Sequence, residues 1–553
     1  MKRQWFVRPH LSLALTALAC LAGLGAAHAK APTASPPNVV IFLADDLGFS
    51  DVGCYGGEIE TPNLDRLAAN GLRFTQFYNT ARCWPSRAAL LSGYYPQQVN
   101  RDPAARRPRW AALLPELLKP AGYCSYHSGK WHVDGPVLAA RFERSYLVVD
   151  QDRFFSPKNH QLDDRPLPQP RPEDGYYATR AIASHAVSWL SDHEANHRGE
   201  PFFLYVGFTS PHFPIQALPE DIARYRDRYL AGWDVVRKER WERIRKLGIA
   251  GGELPSPEPD VFGRSNLSED ALRTRISPGE VRYAAPWETL SEEQKRFQAT
   301  KMAIHAAMVD RMDREVGRVV KQLETAGVLD NTLILFLSDN GASQEQIIRG
   351  DGHDPSAPLG SAKSYLGIGP GWSTLANTPF RMHKIWNHEG GISTLLIAHW
   401  PAGIQAKGEL RHTPGHLVDI VPTLLELAKT PAPESFHGEN RPPLPGKSLV
   451  PALANDITIE REFLFFKHQG NRALRAGDWK IVSRGPDGDW ELYDLAKDRA
   501  ESHDLATKNP EKLKALVAIW DRQDKEYRAQ GATGLPLESP NAPAKRPKTG
   551  TKP

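Results

Sequence analysis

The sequence predicts an α/β protein. A large domain with a central, mostly parallel mixed β-sheet flanked by helices is followed by a smaller C-terminal α+β subdomain with a short antiparallel sheet. Three observations lead to this. Residues 39–43, 202–206 and 333–337 are nearly continuous apolar runs, the pattern of strands covered on both faces. Helical stretches separate them, the order that builds a parallel sheet. From about Arg461 the pattern changes to short strands and turns.

Residues 1–29 precede the fold. Lys2, Arg3 and Arg8 stand before an apolar run over 11–27, and Ala27-His28-Ala29 is a small-x-small cleavage site, so this segment reads as an export signal. A periplasmic or secreted protein with no membrane span after cleavage is expected. A transmembrane anchor suits the segment less well, because the run is short and contains Gly23 and Gly25. Lipidation at Cys20 is also weaker, since Ala17-Leu18-Ala19 is a poor lipoprotein match. Cleavage after Ala29 leaves 66 basic against 65 acidic residues, so no broad basic surface for nucleic acid is implied. Of the four cysteines the signal removes one, and Cys54, Cys83 and Cys124 remain. An oxidising compartment permits a Cys54 to Cys124 bridge, but three cysteines do not make a disulfide scaffold.

The large domain is expected over 30–460. Pro62 opens a helix with Leu64 and Leu67 on its inner face and Gly71 at its end. Met302, His305, Val309, Met312, Val316, Val320 and Leu323 recur at helical spacing and form a core stripe. A fourth strand is expected over 395–398. Residues 217–292, rich in charge, Pro and Gly, read as a surface insertion that could wall a site. The smaller subdomain, 461–535, is expected to hold strands at 463–467, 473–482 and 490–493 and a helix over 510–528. Residues 536–553, with Lys545, Arg546, Lys548 and Lys552 among prolines, form a basic tail with the composition of disorder.

In open α/β sheets ligands bind beyond the carboxyl ends of the strands, and those ends here carry chemistry. The first leads into Asp45-Asp46-Leu47-Gly48, the second to Ser210-Pro211-His212, the third to Ser338-Asp339-Asn340-Gly341. Asp45, Asp46, Asp339 and Asn340 are all oxygen donors, which suits a hard divalent cation, Ca2+ first and Mg2+ second. Taken singly, each pair is ordinary turn chemistry; converging carboxylates without a cation would repel. Cys83 precedes Pro85 and an apolar helical run at 88–91, which places it at or near a helix N-terminus, where anions are attracted. Arg87 lies one turn on. Lys130 and His132 would share a face if their segment is extended, although a surface lysine and a capped histidine are the plain alternative. Lys384 alone would be one more solvated lysine.

Together these segments resemble the formylglycine-dependent sulfatases of the alkaline phosphatase superfamily, in particular the bacterial arylsulfatases. The resemblance runs over about residues 38–505. It is carried by Asp45-Asp46-Leu47-Gly48, Thr61-Pro62-Asn63-Leu64-Asp65, Cys83-Trp84-Pro85-Ser86-Arg87, Leu91-Ser92-Gly93, Gly129-Lys130-Trp131-His132, Pro211-His212, Ser338-Asp339-Asn340-Gly341, Asn377-Thr378-Pro379-Phe380-Arg381 and Glu389-Gly390-Gly391-Ile392. Gly477-Asp478-Trp479-Lys480 and Glu491-Leu492-Tyr493-Asp494-Leu495 extend it into the smaller subdomain. Trp84 stands where a small residue is more usual, and His383 intervenes before Lys384.

The resemblance implies that a formylglycine-generating enzyme oxidises Cys83 to formylglycine. One hydroxyl of the aldehyde hydrate would attack a sulfate ester, and the other, on losing its proton, would expel the sulfate. A plain serine would be left with a stable sulfate ester. It further implies that Asp45, Asp46, Asp339, Asn340 and modified Cys83 ligate the metal, and that Arg87 and Lys130 stabilise the formylglycine hydroxyls. Lys130, Lys384 and His212 would hold the sulfate, with His212 also assisting the leaving group. His132 would take the proton that triggers elimination, and Asp339 would activate the attacking hydroxyl. Expected activity is hydrolysis of sulfate monoesters, aryl or carbohydrate. A phosphodiesterase or phosphonate monoester hydrolase of the same superfamily is the alternative. A binding protein with an inert site would require a missing key group, and none is missing.

Overall fold

The computed structural model describes residues 35–102, 105–258, 261, 265–349, 352–534 and 536. The export signal and residues 537–553 of the expected tail lie outside them. The main sheet is built from β1 (Asn38–Ala44), β2 (Leu72–Tyr78), β3 (Cys124–Gly129), β4 (Arg144–Val148), β5 (His160–Leu162), β6 (Arg165–Pro166), β7 (Phe202–Gly207), β8 (Thr332–Ser338), β9 (Ser393–His399), β10 (Glu409–Arg411) and β11 (Gly415–His416). Their order is β10-β2-β9-β8-β1-β7-β3-β4-β5-β6, with β11 beside β2. The three apolar runs are the adjacent central strands β8, β1 and β7, all parallel. Strands β2 and β3 were not foreseen, because Arg73, Thr75, Gln76, Ser125, His127 and Ser128 interrupt their apolar pattern.

The expected fourth strand is β9, but it runs antiparallel to both neighbours, β8 and β2. A reversed strand delivers the residues that precede it, rather than those that follow, to the rim where its neighbours end. Lys384 and Glu389 therefore approach that rim from upstream of β9. Strand β2, restored to the direction of β1, leads on to Cys83.

Alternate residues of β1 feed two separate cores, as period-two side-chain alternation requires. Val40 and Phe42 pack with the helices Pro62–Ala69, Ala178–Asn196 and Glu292–Thr325, while Val39, Ile41 and Leu43 pack with Cys83–Ser92, Ile420–Leu427 and Pro510–Gly531. The 34-residue helix Glu292–Thr325 starts at a capping box: the Ser291 hydroxyl accepts from Gln294 N, and the Gln294 side chain accepts from Ser291 N. Its predicted stripe is buried, and His305 within it bonds Asp51 at 3.0 Å.

Residues 217–292 depart from the surface insertion expected. They carry the helices Pro219–Ala223, Gly232–Lys246 and Glu269–Arg275, and Tyr225, Tyr229, Trp233, Trp241 and Trp287 are buried in the first core. Widely spaced aromatics bury large areas without leaving an apolar run in the sequence. The 54–124 disulfide does not form: both cysteines carry free thiols. Cys54 accepts from Arg73 of β2 and Cys124 begins β3, strands separated by five sheet spacings, on the order of 20 Å, beyond disulfide reach.

The four-stranded antiparallel sheet of the C-terminal part comprises Leu464–His468, Asn471–Ala476, Trp479–Ser483 and Trp490–Asp494. The single strand expected over 473–482 is two, split where Gly477 takes φ +58°, a conformation that turns the chain. A buried ionic cluster ties this sheet to the main one. Lys480 Nζ lies 2.8 Å from Glu389 and 2.7 Å from Glu501, and Arg499 Nε lies 2.9 Å from Glu389. Lys480, Glu389 and Glu501 are fully buried. Lys480→Met leaves two carboxylates without their shared cation and is expected to lower stability by about 3–5 kcal/mol. A fall in the urea midpoint checks this; an unchanged midpoint would show that the cluster adds no net stability.

Candidate active site

Backbone bonds lock the strand ends into one rim. Asp45 N donates to Ser210 O (3.0 Å), Asp339 N to Ala44 O (3.2 Å), Lys130 N to Gly207 O (2.7 Å) and Lys384 N to Ala342 O (3.1 Å). The turn after β1 has a brace that the sequence did not reveal. Asp51 accepts from Gly48 N (3.1 Å), Arg240 (2.8 Å) and His305 (3.0 Å). Gly48 is obligatory there, since a Cβ would lie 2.3 Å from Ala376 O.

Cys83 opens the helix Cys83–Ser92, which ends at Gly93 with φ +77°. Arg87 donates from Nε to Asp339 Oδ2 (2.9 Å), and its Nη2 lies 2.8 Å from the same oxygen and 3.9 Å from Asp45. Its Nη1 donates to Lys130 O (2.8 Å) and Tyr205 OH (3.3 Å). Lys130 Nζ donates to Asp45 Oδ2 at 2.5 Å and Lys384 Nζ to Asp46 Oδ2 at 2.9 Å. Asn340 Nδ2 donates to Asp46 Oδ1 at 2.6 Å. His212 Nδ1 donates to Phe213 O (2.5 Å), which turns Nε2 toward Asp46 at 3.7 Å. Cys83, Arg87, Lys130, His212, Lys384 and the four oxygen donors are all 3% exposed or less, so these charges interact with little screening by water.

Burial alone would raise the Asp45 carboxyl, but Lys130, His212, Arg87 and Lys384 outweigh it and hold it well below the usual range. Asp339 moves the other way, raised by burial and by the charge of Asp45. Two carboxylates pushed apart in this way are relieved by a cation. Asp45 Oδ1 and Asn340 Oδ1 are buried without a hydrogen-bond partner among the described residues, and the donor set is oxygen, so the site fits a hard divalent ion. Asp45, Asp46 and His212 each place a ligand atom within 4.8 Å of the others, although His212 was not among the expected ligands. Burial raises the Cys83 thiol, opposed by Lys130 and Lys384.

His132 reaches the site by a different route from the one expected. Strand β3 stops at Gly129 and His132 has φ +54°, so Lys130 and His132 are not alternate residues of an extended segment. The ring meets Trp84 edge-on at 5.9 Å. Burial first, then Lys130 and Arg87, lower its pKa to about 2, which keeps the imidazole neutral. The sequence also missed Glu345, whose Oε2 lies 3.6 Å from Lys384. Burial acts to raise it, but Lys384 and His212 bring its pKa down to about 2. Only its place in the loop after β8 could have marked it.

Carboxylates, cations and imidazoles buried at one rim around Cys83 define an enzyme site for an anionic substrate. The sulfatase family's sequence model matches residues 37–430, and that of the N-sulphoglucosamine sulphohydrolase C-terminal region matches 381–526. An uncharacterized sulfatase of Schizosaccharomyces pombe is 31% identical over 544 residues, 89% of this chain and 94% of that protein. An arylsulfatase of Klebsiella aerogenes is 29% identical over 469 residues, 77% of this chain and 93% of that one. A structure solved with its substrate D-glucosamine-2-N,6-O-disulfate superposes with a TM-score of 0.63 at 19% identity, covering 90% of this chain and 99% of the other. The chain belongs to the sulfatase family, with an alkaline phosphatase-like fold, and is an enzyme that hydrolyses sulfate esters.

Proposed function

We propose that the protein is an exported arylsulfatase-type enzyme that cleaves sulfate monoesters at residue 83, with Cys83 converted to formylglycine and a calcium ion held beside it. The observation that carries this is the place of Cys83 at a helix start, buried where its thiol feels the charges of Lys130, Lys384, Asp45 and Asp339. Oxidised to formylglycine, residue 83 supplies a hydrate, one hydroxyl attacking sulfur and the other releasing the sulfate once deprotonated. Asp45, Asp46, Asp339, Asn340 and residue 83 would hold the cation, whose charge polarises the ester and lowers the proton affinity of the hydrate.

The chain's own side chains do the rest. Asp339 accepts the proton of the attacking hydroxyl, and Arg87, bonded to Asp339, fixes its direction. Lys130 and Lys384 neutralise the sulfate oxygens. In its imidazolium form His212, with Nδ1–H on Phe213 O, donates its Nε2 proton to the departing oxygen, where charge grows most in the transition state, so its effect is differential. Neutral His132 takes the proton that triggers elimination. Export rests on the N-terminal segment; among the described residues no helix is long and apolar enough to cross a membrane.

Lys384→Ala and His212→Ala are each expected to lower kcat/KM for p-nitrophenyl sulfate by roughly 100- to 1,000-fold, while Cys54→Ser changes it little. Equal losses would mean that the chemistry lies elsewhere. Parallel rates on phosphate and phosphonate diesters test the alternative, and a phosphorus preference would overturn the assignment. The substrate is proposed as an aryl or carbohydrate sulfate; the solved neighbour that holds a sulfated glucosamine supports the second.

A further inference from the structure

Arg82 and Trp84 flank residue 83, and the chemistry above uses neither. Arg82 is the N-cap residue of the helix, but its side chain makes no capping bond. Its guanidinium lies 4.4 Å from the centre of the Trp84 ring. Arg82 Nε and Nη1 and Trp84 Nε1 are buried N–H donors with no hydrogen-bond partner among the described residues. Buried donors are normally satisfied. Arg87, by contrast, uses Nε and Nη1 on Asp339, Lys130 O and Tyr205, and Arg240 uses its fork on Glu58 and Asp51. The charge of Arg82 is felt at Glu345, yet Glu345 stands against Lys384.

Trp84 touches His132 at 5.9 Å and His468 at 5.5 Å, so it lies between the proposed proton acceptor and the strand Leu464–His468 of the smaller sheet. A guanidinium held over an indole offers a fork of N–H donors, and such a fork matches a planar or tetrahedral oxyanion through paired N–H bonds.

We propose that Arg82 and Trp84 form a second oxyanion subsite, which receives a carboxylate or a further sulfate carried by the leaving group. The preferred substrates are then esters with two anionic groups. This rests on the placement of the chemistry at residue 83.

The test compares kcat/KM within two matched pairs: phenyl sulfate with 4-carboxyphenyl sulfate, and glucosamine 6-sulfate with glucosamine-2-N,6-O-disulfate. Rates are normalised to the formylglycine content of each variant by mass spectrometry, since both residues lie in the segment that must be oxidised. Wild type is expected to favour the doubly anionic member of at least one pair by roughly 10- to 100-fold, and the pair concerned shows whether carboxylate or sulfate is read. Arg82→Gln should erase that preference through KM and leave the singly anionic member little changed. Arg82→Lys should keep part of it, and Trp84→Phe should weaken it. No preference in either pair, a preference that survives Arg82→Gln, or equal losses on both members would overturn the subsite. A converted wild type that releases sulfate from no ester would overturn instead the placement of the chemistry itself, and the subsite with it.

Discussion

Cys83→Ala is expected to cut sulfate release by roughly 10,000-fold or more, since removing a nucleophile costs about as much as dismantling the whole catalytic unit. Any remnant would come from Arg87, Lys130 and Lys384, which stabilise charge without attacking. The fold should survive, because alanine is no larger than cysteine and has high helix propensity. Cys83→Ser separates two explanations. A serine hydroxyl can attack once, but it has no second oxygen on the same carbon to expel the sulfate. The variant should therefore hold a stable sulfate ester, visible in the intact mass, and stop turning over. Full activity in material whose residue 83 is an unaltered thiol would end the assignment.

Exhaustive chelation is expected to lower turnover of p-nitrophenyl sulfate by roughly 1,000-fold or more, because a metal contributes several kcal/mol of transition-state stabilisation. Calcium should restore it better than magnesium. Asp45, Asp46, Asp339 and Asn340 come from two strand ends, and Asp46 takes the left-handed conformation at φ +66°. Such loop-borne donors suit the adaptable coordination of calcium more than the strict octahedron of magnesium. Lys130 and Lys384 contact the same carboxylates at 2.5 and 2.9 Å, so the ion would share their counter-charges and leave both lysines more of their own for the substrate. Undiminished activity after chelation would contradict the proposed ligands.

Much of this was legible in the sequence. The strands β1, β7 and β8 announced themselves because burial on both faces leaves unbroken apolar runs, and their polar ends marked the rim. The direction of β9 was not legible: a buried strand reads the same whichever way its neighbours run. Glu345 and Asp51 escaped for another reason. Each acts through partners more than 30 positions away, Lys384 for one, Arg240 and His305 for the other, and no local pattern encodes such a pairing. His132 was picked out by its motif, although the geometry assumed for it was wrong, because left-handed backbone at a non-glycine residue leaves no local sequence signal. The insertion at 217–292 misled through composition: its charge and prolines read as surface, but its aromatic rings are core and Arg240, Asp221 and Glu280 are buried with them.

The ionic knot at Glu389 sits five positions beyond Lys384, on the loop that enters the reversed strand. The smaller sheet therefore props the loop that carries Lys384. A chain cut back to its first 460 residues would keep every proposed catalytic group, yet lose Lys480, Arg499 and Glu501 together and leave Glu389 with the hydroxyls of Tyr78 and Ser393 but no countercharge beneath the loop that carries Lys384.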